Sequence, residues 1–282
     1  MTIDGSGTRR AICLLAPNPS PMTLDGTNTW VIAEPGSSSA VVVDPGPEDE
    51  AHLRRVLREV SSAGRRVAQI LLTHGHHDHS AGARRFAGLT GAPVRAADPR
   101  QCLGDEGLAA GDVVTAAGCE LRVVGTPGHS ADSLSVLLPE DGALLTGDTV
   151  LGRGTTVIAP DGQLGDYLRT LDALRSLADS EGLGVLLPGH GPVLHDPAGT
   201  LEYYIAHRGE RLAQVRAALV AGDRTAAEIV TRVYTDIDPG ARSFAEWSVQ
   251  AQLDYLADTG LADRGTMGPE TADTGTAGPR RG

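Results

Sequence analysis

Within residues 73–82, Thr-His-Gly-His-His-Asp-His-Ser-Ala-Gly, the potential metal donors His74, His76, Asp78 and His79 crowd into a few positions. Neutral imidazole and carboxylate are the donors that suit zinc and related divalent cations. Packed without a ligand, so many ring nitrogens would each need another hydrogen-bond partner. His74 and His76 stand two apart, so in an extended segment they point the same way. Asp78 and His79 follow in a tight turn between Gly75 and Gly82. Adjacent residues in a turn diverge, so the segment can serve one metal or two.

A cluster of this kind cannot be completed locally, and three later segments offer ligands. Residues 121–130 are an apolar strand that runs into Thr126-Pro127-Gly128 and then His129. Residues 143–149 stop at Gly147 and present Asp148, and residues 184–191 lead to His190 between Gly189 and Gly191. Each is a strand-like run, a Gly or Pro break and one potential ligand. The His74 cluster follows a similar run, residues 67–72. Open sheets present functional groups at the carboxyl ends of their strands, so four strand ends can bring these ligands to one edge. Singly, Asp148 serves equally well as a turn residue and His190 as a loop histidine. Their weight comes from the set.

The order His-x-His-x-Asp-His, Thr-Pro-Gly-His, Gly-Asp-Thr, Pro-Gly-His-Gly resembles the metallo-β-lactamase fold hydrolases. The resemblance implies an α/β chain folded as a four-layer αββα sandwich with two divalent metal ions on one edge, zinc foremost and iron or manganese on occasion. It implies that His74, His76 and His129 hold the first metal. Asp78, His79 and His190 hold the second, and Asp148 bridges both. A carboxylate at Asp148 sets the chain apart from the drug-hydrolysing lactamases, which usually place a cysteine there. Residues 22–30, 152–157 and 204–208 are similar to a narrower branch that includes a lactamase-β-like endoribonuclease and its bacterial relatives, and the match spans residues 18–264. One core hydrolyses thioesters, lactones, lactams and phosphodiesters across the superfamily, so the fold does not fix the substrate.

Two such metals, roughly 3.5–4 Å apart, hold a bridging water and lower its pKa, which supplies a hydroxide nucleophile without a serine or cysteine. Asp78 is the expected catalytic residue, ligating, orienting and passing a proton to the leaving group. Ser80 and Ser130 are expected to brace the ligands. His77 should point away from the metal face and His195 should be structural. Thr155, Thr156 and Arg208 offer donors for an anionic group at the lip of the site, with an interdomain salt bridge the other role for Arg208.

Three functions are compatible with this reading. The first is an endoribonuclease on single-stranded RNA, favoured by the branch resemblance. The second is a thioester or lactone hydrolase similar to glyoxalase II, although the longer C-terminal glutathione-binding extension is missing. The third is a winged-helix regulator that binds nucleic acid. The intact ligand set argues against the third. A net charge of −12 gives no basic footprint for broad nucleic-acid binding and makes DNA a poor partner.

The elements that must position these residues are legible in outline. Strand-like runs at residues 11–16, 29–33 and 40–43 open the first sheet; Asp44 after the third could ligate a metal by its chemistry alone, but the resemblance implies a structural residue beneath the site. Residues 48–62 have helical spacing with His52 toward solvent, residues 81–89 form a helix behind the metal loop, and the leucines of residues 167–177 mark a core-facing helix. Residues 1–200 are therefore assigned to the catalytic domain. Residues 201–264 read as a winged-helix-like module: helices at 201–220, 225–233 and 244–257, then a short wing over 256–264. Thr225 and Glu228 are spaced as a capping box. The middle of its third helix carries no arginine, so the module is expected to pack on the catalytic domain and shape the substrate entrance or a homodimer contact. Residues 265–282 are Gly, Thr, Ala and Pro with few apolar residues and are expected to be disordered. Cys13, Cys102 and Cys119 are odd in number and far apart, no run is long enough to span a membrane, and no leader precedes the domain. A reducing cytoplasm is the expected compartment.

Overall fold

Aliphatic and β-branched runs build two five-stranded sheets of matching design. The computed structural model describes residues 4–104, 106–235 and 239–260. Strands β1 (Ala11–Leu15), β2 (Asn28–Ile32), β3 (Ser39–Val43), β4 (Arg66–Leu71) and β5 (Val94–Arg95) form the first sheet in chain order. Strands β6 (Val113–Ala116), β7 (Cys119–Gly125), β8 (Leu134–Leu138), β9 (Ala143–Gly147) and β10 (Val185–Pro188) form the second, in the order β10-β9-β8-β7-β6. The pairs β3–β4, β4–β5 and β9–β10 are parallel and the others antiparallel. Every residue of β2, β8, β9 and β10 is buried. Both faces of these strands are covered, which is why they read as unbroken apolar runs.

Residues from both sheets share one core, in which Trp30, Val41 and Val43 meet Leu121, Val136 and Leu145. Helices α1 (Glu50–Ser62) and α3 (Ala83–Thr90) add Leu53, Val56 and Phe86 to it, and the single turn α2 (His77–Ser80) lies between them. On the other side, Tyr167 and Leu171 of α4 (Leu164–Glu181) and Leu201 and Tyr204 of α5 (Pro197–Val220) pack on Leu137, Leu144 and Leu186. The layers are helix, sheet, sheet, helix, as the resemblance implied. His52 departs from its expected surface position. It is 2% exposed, its Nε2 lies 2.9 Å from Thr29 Oγ1, and burial, aided by Arg55, lowers its pKa to about 4.

The C-terminal helices are continuous with this body. Helix α5 starts at Pro197 and crosses position 200 without a break, its first turn capped by Asp196, which accepts from Gly199 N at 3.0 Å. Helix α6 (Ala226–Val233) carries the capping box of Thr225 and Glu228. Helix α7 (Arg242–Asp258) closes a small core of Val215, Ile229, Val249 and Leu253, and its Tyr255 reaches the α4–α5 cluster. The wing expected over residues 256–264 does not begin at Leu256, which is still helical, and its residues 261–264 lie outside the described residues. The tail expected to be disordered, residues 265–282, lies outside them too. Among the described residues no helix is long and apolar enough to cross a membrane.

Candidate metal centre

All seven sequence-predicted ligands converge at one edge of the sandwich, just beyond four strand ends. His74, His76, Asp78 and His79 follow β4, His129 follows β7, Asp148 follows β9 and His190 follows β10. Two close approaches make this possible. Gly147 adopts φ +48°, and a Cβ there would lie 2.7 Å from Thr73 Oγ1. A Cβ on Gly189 would lie 2.7 Å from Asp148 Oδ1 and 2.8 Å from His79 Cε1. Only glycine permits strand ends to approach this closely.

The rings are aimed by their far nitrogens. His129 Nδ1 donates to the Val157 carbonyl at 2.7 Å, and His190 Nδ1 donates to the Gly26 carbonyl at 3.0 Å. His79 Nδ1 is 2.9 Å from Asp44 Oδ2, and His74 Nδ1 is 3.0 Å from Thr73 Oγ1, which itself donates to Asp44 at 2.7 Å. Each of these four rings therefore turns Nε2 toward the others, the orientation that metal-ligating histidines receive from such partners. His76 is reversed: its Nδ1 faces His129 Nε2 at 3.0 Å, while its Nε2 lies 3.5 Å from Asp161 Oδ1. Asp44 sits at φ +52°, a left-handed conformation uncommon for a residue with a Cβ. That strain places its carboxylate beneath both Thr73 and His79.

Electrostatically the cluster is a set of donors facing inward. Burial raises the Asp148 pKa, but His190 and His79 together outweigh it and hold the carboxyl well below its usual range. Burial opposes charge on His79, yet Asp78, Asp148 and Asp44 raise it well above an ordinary histidine. His190 loses to burial and gains more from Asp148 and Asp78, reaching about 9. His74, fully buried and near His79, is lowered. The carboxylates thus draw positive charge toward the centre, the role a cation takes when it displaces protons from its ligands.

A divalent metal fits this donor set. His74 Nε2 and Asp148 Oδ1 are buried without a hydrogen-bond partner, an expensive state for polar atoms unless something else meets them. His79 Nε2 and His190 Nε2 face each other at 3.1 Å, as ligands of a shared ion do. Ligand atoms lie within 4.8 Å of one another in each of three groups: His74, His76 and His129; Asp78, His79 and His190; and His74, His79 and Asp148. Asp148 reaches across them, 3.4 Å from His79, 3.3 Å from His190 and 3.8 Å from His129.

Other residues take different places from those expected. His77 is exposed, as alternation required, and His195 is exposed in the loop after β10. Ser80 donates to the Gly75 carbonyl and Ser130 to Asp132, so both brace the loops, with no hydrogen bond to a ligand ring. Arg208 does not stand on the lip. It is 4% exposed and donates to the Thr156 carbonyl. Sequence reasoning missed Asp161 and Thr27, whose Oγ1 lies 3.4 Å from Asp78 Oδ2, and gave no role to Asn28, which donates to the Pro188 and Gly191 carbonyls at 2.9 Å. Thr27 and Asn28 lie in a recognised stretch, but nothing in their types marks them.

Comparison with known proteins agrees with this geometry. A family model described as the metallo-beta-lactamase superfamily matches residues 22–190. The Beta-lactamase-like protein 2 homolog of Drosophila melanogaster is 32% identical over 274 residues, 90% of this chain and 89% of that protein. An atrochrysone carboxyl ACP thioesterase of Aspergillus fumigatus is 33% identical over 218 residues, 74% of this chain and 65% of that protein. The crystal structure of a metallo-beta-lactamase family protein from Thermus thermophilus superposes with a TM-score of 0.73 at 26% identity, covering 89% of this chain and 94% of the other.

Proposed function

The chain belongs to the metallo-β-lactamase superfamily, and from that membership we propose that it is a binuclear metal-dependent hydrolase of acyl thioesters or related esters. The observation that carries the reading is the cavity above the ligands. About 150 Å³ in volume, it reaches His129 and Asp148 between Met22, Leu24, Leu151 and Val157. A narrow, largely apolar slot suits an acyl group. Its one arginine, Arg153, is paired with Asp25 at 2.8 Å, so the slot gives little support to the expectation of an RNA strand. The thioesterase named among the relatives favours the same chemistry.

In this reading His74, His76 and His129 would hold one divalent cation, Asp78, His79 and His190 would hold the other, and Asp148 would serve both. Zinc suits the nitrogen-rich donor set best. The cations would supply Lewis acidity and a water of lowered pKa. The chain's own residues do the rest. Asp44, Thr73, Gly26 and Val157 fix the rings, and the slot orients the acyl carbonyl and limits bulk water. Hydrolysis breaks the C–S or C–O bond and forms a new bond from water oxygen to the acyl carbon. The departing thiolate or alkoxide needs a proton, and Asp78, half-buried and steadied by Thr27, is the residue assigned to relay it. The three cysteines are unpaired, which favours a reducing compartment.

Purified enzyme should be offered an acyl thioester, a simple lactone and single-stranded RNA under identical conditions. Turnover of the thioester or lactone, lost in His74→Ala, is expected, with the RNA left intact. RNA cleavage with neither small substrate consumed would reverse the assignment.

A further inference from the structure

The slot does not end at the metal ligands. A second cavity, about 180 Å³, shares Pro21, Met22, Thr155, Thr156 and Val157 with it. Its far wall comes from the C-terminal helices, where His207, Arg208 and Arg211 of α5 face Tyr234. In a chain of net charge −12, neither of these arginines has an ion-pair partner among the described residues. Arg208 is 4% exposed, lies 4.9 Å from the Tyr167 ring centre and keeps Nε buried and unpartnered. Arg211 lies 4.5 Å from the Tyr234 ring centre, with Nε 3.4 Å from His207 Nε2. His207 Nδ1 is likewise buried without a partner, and burial followed by the two guanidiniums lowers that ring's pKa, the mark of a positive local potential. A buried guanidinium without a counter-charge is costly, and its planar fork matches carboxylate and phosphate.

We infer that this second cavity is an anion subsite, in which Arg211 binds the carboxylate or phosphate at the non-reacting end of the substrate and the buried Arg208 adds positive charge behind it. The substrate is then an acyl thioester or ester with an apolar stretch beside Met22 and Val157 and an anionic terminus. That it is a substrate which binds here rests on the hydrolase reading, whereas the binding of an anion does not.

Arg211 is the position to change, because Arg208 also holds the Thr156 carbonyl and with it the segment that anchors His129. Calorimetry should compare inorganic phosphate binding to wild type, Arg211→Gln and His74→Ala. We expect binding in wild type and His74→Ala, and a loss of roughly ten-fold or more in Arg211→Gln. Arg211→Lys, which keeps the charge and loses the fork, should fall between. Equal binding by Arg211→Gln and wild type overturns the subsite. So does binding that disappears in His74→Ala and survives in Arg211→Gln, since the phosphate would then sit on the metal centre. In kinetics, the preference in kcat/KM for a carboxylate-terminated thioester over a neutral one of equal length should fall about ten-fold in Arg211→Gln, mainly through KM. An unchanged preference contradicts the substrate assignment. Phosphate binding as expected with no thioester or ester turnover would keep the subsite and fail the acyl-hydrolase reading.

Discussion

Asp148→Ala is expected to lower kcat by on the order of a thousand-fold or more, with the fold retained. Loss of an outer partner of a metal ligand alone costs roughly ten- to a hundred-fold. Asp148 contributes directly, and its carboxylate touches His79, His190 and His129, which belong to both donor groups. It stands after β9, not within the core, so the sheet needs its side chain little. Steady-state kinetics with a circular dichroism check is the measurement, and His195→Ala, an exposed control, should change little. Full turnover in Asp148→Ala would remove it from the site.

Chelation is expected to abolish turnover and to lower Tm by roughly 8–16 °C. A ligand at about a thousand times its Kd stabilises by about 4 kcal/mol. For a domain of this size each kcal/mol moves Tm by roughly 2–4 °C. The direction follows from the charges at the centre. Without a cation, Asp78 and Asp148 depend on protons held by His79 and His190, and His74 Nε2 has no partner at all. Metal binding displaces those protons, so reloading should be weaker at about pH 5 than at about pH 8. Scanning calorimetry with and without chelator is decisive, and an unchanged Tm would mean that the donors stabilise one another without a metal.

Four ligands were legible as a dense cluster after one apolar run, and His129, Asp148 and His190 because each follows the same local grammar: an apolar strand, a Gly or Pro stop, one imidazole or carboxylate. Asp44 was legible as a support only through the family resemblance, since its type and its place after β3 suit a ligand equally well. His52 was not, because helical spacing places a residue on a helix without naming its neighbours. Its burial depends on Thr29, reached only when β2 and α1 meet. Arg208 was misplaced for a similar reason. The Thr156 carbonyl that it holds comes from a segment 52 positions away. Asp161 follows Pro160 in a loop with no strand before it, so the same grammar could not mark it. The three C-terminal helices and the capping box were readable from spacing. Their packing on the catalytic domain was expected as well, but not that α4 is the helix they meet, since each helix alone shows only an apolar face.

If His74, His76, Asp78, His79, His129, Asp148 and His190 hold two metal ions, the purified protein carries them. Elemental analysis of protein purified without chelators tests it most directly. About two equivalents of zinc or a similar divalent metal per chain are expected. A preparation that is folded and active on an acyl thioester yet contains no transition metal would contradict it.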